Sequence, residues 1–428
     1  MTGGDLKAVG ARTFRSLRIR NYRLFFFGQL VSVTGTWMQT VAQSWLVLNL
    51  TGSGVDLGIT VALQFLPMLL FGLWGGLLAD RSDKRRLLIA TQAAGGLLAL
   101  VLWALVATDS VELWMVYVMA FLLGIVTMVD MPTRQAFVIE MVGPDEVPNA
   151  IGLNSAMFNS GRILGPAAAG VTIAALGLAP AFLANGLSYL AVIAALVAMR
   201  PEELFRREPA PRQRGEVRAG LRYVWNDATL RSTLFLVAVL GMFGFNFVVV
   251  LPLLARFTFD GGAGLYSLFT SLTSLGSLGG ALFAASRARP TRRLLLGAGA
   301  SFGVLMLATA VAPTVALASV LLVAVGVAVM LFLATANTTL QLNSDPAMRG
   351  RVMALYGLLF LGSTPVGGPL LGWISETWGP RFGLGLGGAV SLAAALAAVG
   401  GIRARRRSRE AAAAGAGEAA NVAAVAQA

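Results

Sequence analysis

Between two long apolar runs, 57–79 and 87–108, the residues Asp80, Arg81, Ser82, Asp83, Lys84, Arg85 and Arg86 put two acids and four bases into a single short turn. That is more charge than a solvated hairpin requires. A carboxylate at the end of a helix can face the positive N-terminal end of a neighbouring helix. Asp80 has that position, and Lys84 or Arg85 has Asp130, at the end of another apolar run, as a candidate partner. A second charge stands alone. Arg162 lies about 13 residues into its run, roughly 20 Å of helical rise from the start. A guanidinium at that depth neutralises poorly and needs acceptors. Asn154, Asn159, backbone carbonyls or an anionic ligand are the candidates, and the residues leave open whether the pairing is structural or binds an anion. A third group is a stripe: Gly28, Ser32, Thr36, Gln39 and Gln43 recur at helical spacing in an otherwise apolar run, so they face an interior or a cavity. Gln64 and Pro67, then Phe243, Phe245, Asn246 and Phe247, then Asn337 and Tyr356, add amides and aromatics at comparable depth. Such a lining suits a bulky amphipathic organic molecule better than a small inorganic ion.

The elements that must carry these residues follow from composition. The chain has 428 residues, 57% apolar and 12% charged, with a mean hydropathy of +0.75. Soluble domains carry about twice that charge, so the chain reads as an all-α membrane protein. Apolar runs long enough to span a bilayer fall near 24–48, 57–79, 87–108, 113–131, 150–176 and 180–199, then near 232–254, 265–285, 294–312, 315–336, 352–374 and 382–402. The organisation expected is a basic N-terminus (1–23), a six-helix half (24–199), a linker (200–231), a second half (232–402) and a disordered tail (403–428). In the linker, Val217, Leu221 and Val224 share one helical face, as an amphipathic surface helix would.

The net charge of +13 does not indicate nucleic acid. Of the 33 bases, all but Arg162, Arg256 and Arg381 fall in the termini, the linker or the loops on one side of the spans. By the positive-inside rule both termini are cytoplasmic, with the loops against anionic lipid. The absence of Cys and His removes thiolate, disulfide and imidazole chemistry and most zinc sites. Neither lysine lies in a phosphate-binding loop. No metal, no cofactor and no nucleophile–base pair is expected, so no enzyme.

Six plus six spans about a long linker suggest a duplication. Gly165-Pro166 in the fifth span is echoed by Gly368-Pro369 in the eleventh. The turn Gly76-Leu77-Leu78-Ala79-Asp80-Arg81-Ser82-Asp83-Lys84-Arg85 resembles the signature between spans two and three of the major facilitator superfamily, with Asp83 where that family usually has Gly. The run Gly152-x8-Gly161-x3-Gly165-Pro166-x2-Ala169-Gly170 is similar to the motif of its antiporter branches, with Ala169 in place of Gly. Asn21-Tyr22-Arg23-Leu24-Phe25, Trp37-Met38-Gln39 and Asn159 to Pro166 resemble the group holding enterobactin and macrolide exporters.

The resemblance implies twelve helices in two rocking halves, and export of a siderophore, macrolide or other drug-like compound across the cytoplasmic membrane. It implies a cytoplasmic gate of Gly76, Asp80, Arg81, Lys84, Arg85 and Asp130, with Asp80 set against span eleven. It also implies an antiporter helix of Gly152, Gly161, Arg162, Gly165, Pro166 and Gly170. Thr36, Gln39, Gln43, Gln64, Asn154, Asn159, Arg162, Phe243, Asn246, Asn337 and Tyr356 are the expected substrate contacts. Protons are the coupling ion implied by the family. No acid lies deep in a span, so Asp130, Glu140 and then Asp56 are the nearest candidates. A monomer suffices. An importer or lipid carrier of the same fold, or a non-transporting sensor, are the other readings.

Overall fold

A computed structural model describes residues 14–205, 216–287 and 291–399; the tail expected from 403, the first 13 residues and part of the linker lie outside the described residues. The first half holds α1 (Arg20–Thr51), α2 (Gly54–Arg81), α3 (Lys84–Ala107), α4 (Leu113–Val142), α5 (Val147–Leu176) and α6 (Ala179–Val197). A short helix in the linker, α7 (Glu216–Asn226), precedes α8 (Ala228–Phe243), α9 (Phe247–Phe257), α10 (Ala263–Ala285), α11 (Arg292–Ala310), α12 (Val315–Leu342), α13 (Arg349–Gly362), α14 (Thr364–Trp378) and α15 (Pro380–Val399). The expected seventh span is thus two consecutive helices, α8 and α9, and the eleventh is α13 and α14. Among the described residues ten segments are long and apolar enough to cross a bilayer. The other two long helices, α1 and α5, are the ones that carry the polar stripe and Arg162.

Local chemistry sets the boundaries. Ser53 caps α2 by accepting from the Asp56 amide at 3.2 Å, and Asp227 caps α8 by accepting from Thr229 and Leu230 at 2.7 and 2.8 Å. These side chains satisfy amides that the first helical turn leaves bare. Gly52 ends α1 in the left-handed region at φ 66°, where a Cβ would be strained. At the break between α8 and α9, the Asn246 amide donates to the carbonyls of Gly241 and Met242, at 3.3 and 2.8 Å. Backbone groups freed inside a bilayer need such partners.

Packing within the first half runs α1 against α5 and α6, α2 against α4, and α3 against α4 and α6; in the second half α12 packs on α10 and α11. The halves meet along α2–α14 and α5–α10. We term the end of the bundle bearing the 82–83 turn the near end and the opposite end the far end. A Cβ added at Gly54 would lie 2.6 Å from the Gly372 carbonyl, and one at Gly58 would lie 2.6 Å from that of Gly368. Both contacts lie toward the far end.

The apolar core divides in the same sense. One cluster runs through both halves, from Trp45, Leu57 and Phe182 to Leu253, Phe269 and Leu371. At the near end two further clusters stand apart. Tyr22, Phe25, Leu88 and Phe137 belong to the first half, and Leu230, Leu340 and Val352 to the second.

Candidate functional site

The charged turn is shorter than its sequence suggests: α2 ends at Arg81 and α3 starts at Lys84, with only Ser82 and Asp83 between. Asp83, the departure from the family signature, is the N-cap of α3 and accepts from the Arg86 amide at 3.0 Å. Arg85 donates to the carbonyls of Leu196 and Val197, at 2.6 and 3.0 Å, and so caps the C-terminus of α6. Lys84 pairs with Glu140 at 2.7 Å. Neither base reaches Asp130, which corrects the expected pairing. The reason is length. α4 continues 11 residues past 131 to Val142, so Glu140 lies ten residues, about 15 Å, beyond Asp130 along the axis and is the acid level with Lys84. Asp80, Arg81, Lys84, Arg85 and Glu140 line a cleft of about 280 Å³ at this end. Gly76 is half-buried one turn before Asp80 on α2.

Asp130 is instead the centre of a separate buried network. It is 7% exposed, accepts from Thr91 Oγ1 at 2.9 Å and Gln92 Nε2 at 2.7 Å, and lies 3.6 Å from Arg134 one turn along α4. The Arg134 guanidinium in turn lies 4.7 Å over the Phe158 ring. Asp56, at the far end of α2, accepts from the Tyr117 hydroxyl at 2.9 Å.

Three residues of the α1 stripe line a small pocket, while Gly28 packs against Ala191 and Ala195 of α6. Thr36, Gln39 and Gln43 face Gln64 of α2 together with Asn185 and Tyr189 of α6. Asn185 donates to Gln39 Oε1 at 2.6 Å. The space is about 20 Å³, room for about one water. Asn185 and Tyr189 are absent from the sequence-based site. They sit with Ser188 at 3–4 residue spacing in an apolar helix, the same signal that exposed the α1 stripe.

Of the α5 residues, Gly161 packs on Val33, Gly165 on Thr34 and Trp37, and Gly170 on Ser267 of the other half, while nothing lies within 4 Å of a Cβ at Gly152. Pro166 is buried inside the helix without ending it. The Arg162 guanidinium stacks over Trp37 at 5.3 Å. Asn159 donates to its own helix, to the Ser155 carbonyl, and Asn154 is half-buried two turns before Arg162. In the second half, Phe245 sits among Phe302, Phe332 and Phe360, with ring centroids 5.5 to 6.4 Å away. Tyr356 stacks on Phe360, Asn337 accepts from Gln341, and Phe243 is half-buried before the helix break. Asn246 spends its donor on the break, while its buried Oδ1 has no hydrogen-bond partner.

A family description, transmembrane secretion effector, matches residues 11–426. The chain is 28% identical over 367 residues to the multidrug efflux pump Tap of Mycolicibacterium fortuitum, covering 83% of this chain and 89% of that protein. It is 26% identical over 263 residues to the staphyloferrin A transporter of Staphylococcus aureus; this stretch covers 60% of this chain and only 64% of that relative. The structure of a bacterial homolog of the human lysosomal transporter Spinster, inward-facing and occupied, aligns with a TM-score of 0.70 over 90% of this chain and 97% of that one. Its 13% identity bears on the fold alone. With an all-helical fold among its described residues and a family match over almost its whole length, the chain belongs to the transmembrane secretion effector family of the major facilitator superfamily.

Proposed function

We propose that the chain exports a small amphipathic organic compound across the cell membrane by alternating access, exchanging it for protons. The observation that carries this reading is the divided core. Among the described residues apolar packing is continuous between the halves at the far end, whereas no cluster joins the two halves at the near end. Two bodies joined at one end and apart at the other are what rocking about a central site requires. All twelve long segments then cross the bilayer. The bases put the near end, with both termini, in the cytoplasm, so the arrangement is open inward and closed outward. The polar pocket of Thr36, Gln39, Gln43 and Gln64 lies between α1, α2 and α6, and the aromatic group around Phe245 and Tyr356 gives the second half a complementary apolar surface.

Asp130 is the acid we assign to proton exchange. Its donors Thr91 and Gln92 are neutral, and its ion pair with Arg134 is a loose one at 3.6 Å. Glu140, by contrast, is held at 2.7 Å by Lys84. The test is efflux from energised cells or inverted vesicles, using a panel of siderophores, macrolides and dyes. A protonophore should abolish efflux, and Asp130→Asn should retain substrate binding while losing the response to the gradient. Net accumulation that ignores the gradient would refute export, and full gradient-driven efflux by Asp130→Asn would remove this residue from coupling.

A further inference from the structure

Arg162 lies at the sixteenth of the 30 residues of α5, about 22 Å of helix from either end, too deep for its head to reach either aqueous face. Among the described residues no carboxylate is within salt-bridge reach of it. Its Nε is out of solvent contact and has no hydrogen-bond acceptor. The nearest compensation is the Trp37 face at 5.3 Å, a contact far weaker than the desolvation it would have to offset. A guanidinium does not escape by deprotonating. What is missing is an acceptor.

The position is fixed rather than adaptable. Gly165, one turn along, has no room for a Cβ against the Thr34 carbonyl and the amide of Met38, so α5 is pressed on α1 and Trp37 is held beneath the arginine. The neighbouring residue, Ile163, accepts from Ser271 of α10 at 3.2 Å, so Arg162 is adjacent to the seam between the halves. A ligand held there touches the surface that must open and close during rocking. An intramembrane charge beside such a seam marks a substrate path more often than a packing accident.

We infer that Arg162 is the subsite for an acidic group of the exported compound, and that the substrates are amphipathic organic carboxylates. The planar fork of Arg162 matches a carboxylate. Trp37, the α1 amides and the aromatic surface of the second half take the uncharged body. The acid nearest to this depth, Asp130, is already engaged by Thr91, Gln92 and Arg134 and so offers a cationic compound little; a lone guanidinium is too little charge for a multivalent inorganic anion. The inference names the substrate class of the site proposed above and rests on that site being the substrate cavity, but not on the direction of transport.

The test is binding to the purified full chain in lipid nanodiscs, read by Trp fluorescence and calorimetry. A series of arylalkyl carboxylates is compared with the matching primary amides and trimethylammonium analogues. In the wild type at least one acid should bind about tenfold or more tighter than its amide and its cationic analogue, a margin within reach of one charge-assisted bidentate pair. Arg162→Gln should erase that preference, and Arg162→Lys should keep part of it. Should the variants not fold, the wild type alone decides: lowering the pH through the ligand's own carboxylate titration should weaken the acid to the level of its amide. No acid-selective binding anywhere in the series, or a preference surviving in Arg162→Gln, would overturn the subsite. Acid-selective binding without gradient-driven efflux would instead leave the subsite standing and refute the export reading.

Discussion

The turn at 80–86 divides its charges among distinct partners, and each division can be tested one residue at a time. Lys84 and Glu140 are both mostly buried, with side chains 15% and 10% exposed. Removing one charge strands the other, at about 3 kcal/mol. Lys84→Gln and Glu140→Gln should therefore each lower the thermal midpoint of the purified protein, and the double variant should lose less than the two single losses added together. Arg86, whose side chain is exposed, is the internal control: Arg86→Gln should stay within about 0.5 kcal/mol of the wild type. Strictly additive losses would mean that the two groups do not depend on each other. The pairing illustrates what a linear sequence conceals. That the turn is charged and sits between two helices is legible from residue types. That Glu140 rather than Asp130 lies level with Lys84 depends on how far α4 runs past its apolar stretch: Pro132 reads as a stop, yet the helix continues through it and ends only at Gly143.

At the level of helices, the stripe on α1 was legible because polar residues at 3–4 residue spacing are conspicuous in an apolar run, and its Thr36, Gln39 and Gln43 line the pocket. The breaks at Gly244–Asn246 and at Ser363 were not, since hydropathy averaged across them stays that of a single span. Small-residue motifs fall between these cases. Their presence in α5 is plain, but which glycines matter depends on what stands opposite. Gly165→Ala would press a methyl group against the Thr34 carbonyl, 2.6 Å away, and α5 would have to leave α1. Gly152→Ala meets nothing and gains helix propensity worth up to about 1 kcal/mol. The expected outcome is a clearly lowered melting midpoint and weakened efflux for Gly165→Ala, against wild-type or better stability for Gly152→Ala. Equal effects would mean that the motif acts through the α5 backbone itself rather than through its contact with α1.

On the scale of the whole molecule, the far end is closed by polar contacts as well as by the shared core. Glu376 of α14 accepts from Ser53 Oγ at 2.7 Å and from the Val55 amide at 3.0 Å, so an acid of one half caps the N-terminus of α2 in the other. Arg256, at the end of α9, donates to the Leu48 carbonyl at 2.7 Å and to Asn49, capping the C-terminus of α1. Each charge has the sign that its helix end favours, and such a cap contributes about 1 kcal/mol. Both contacts exist only while the far end is shut, so their loss acts on the two-state balance rather than on either half. Removing both, in Glu376→Gln with Arg256→Gln, should shift the population toward the state open at the far end by roughly 30-fold, the equivalent of about 2 kcal/mol. The chain has no cysteine, so spin labels can be introduced without background. Labels at Leu50 and Trp378 report the far end, and labels at Ala90 and Leu342 report the near end; all four positions are exposed. In the double variant the first distance should lengthen as the second shortens, because rigid halves that part at one end must converge at the other. A change at the far end alone would mean local fraying of α2 rather than rocking. No change at either end would leave the shared core, with Leu57 and Leu371 buried between the halves, as what keeps that end shut.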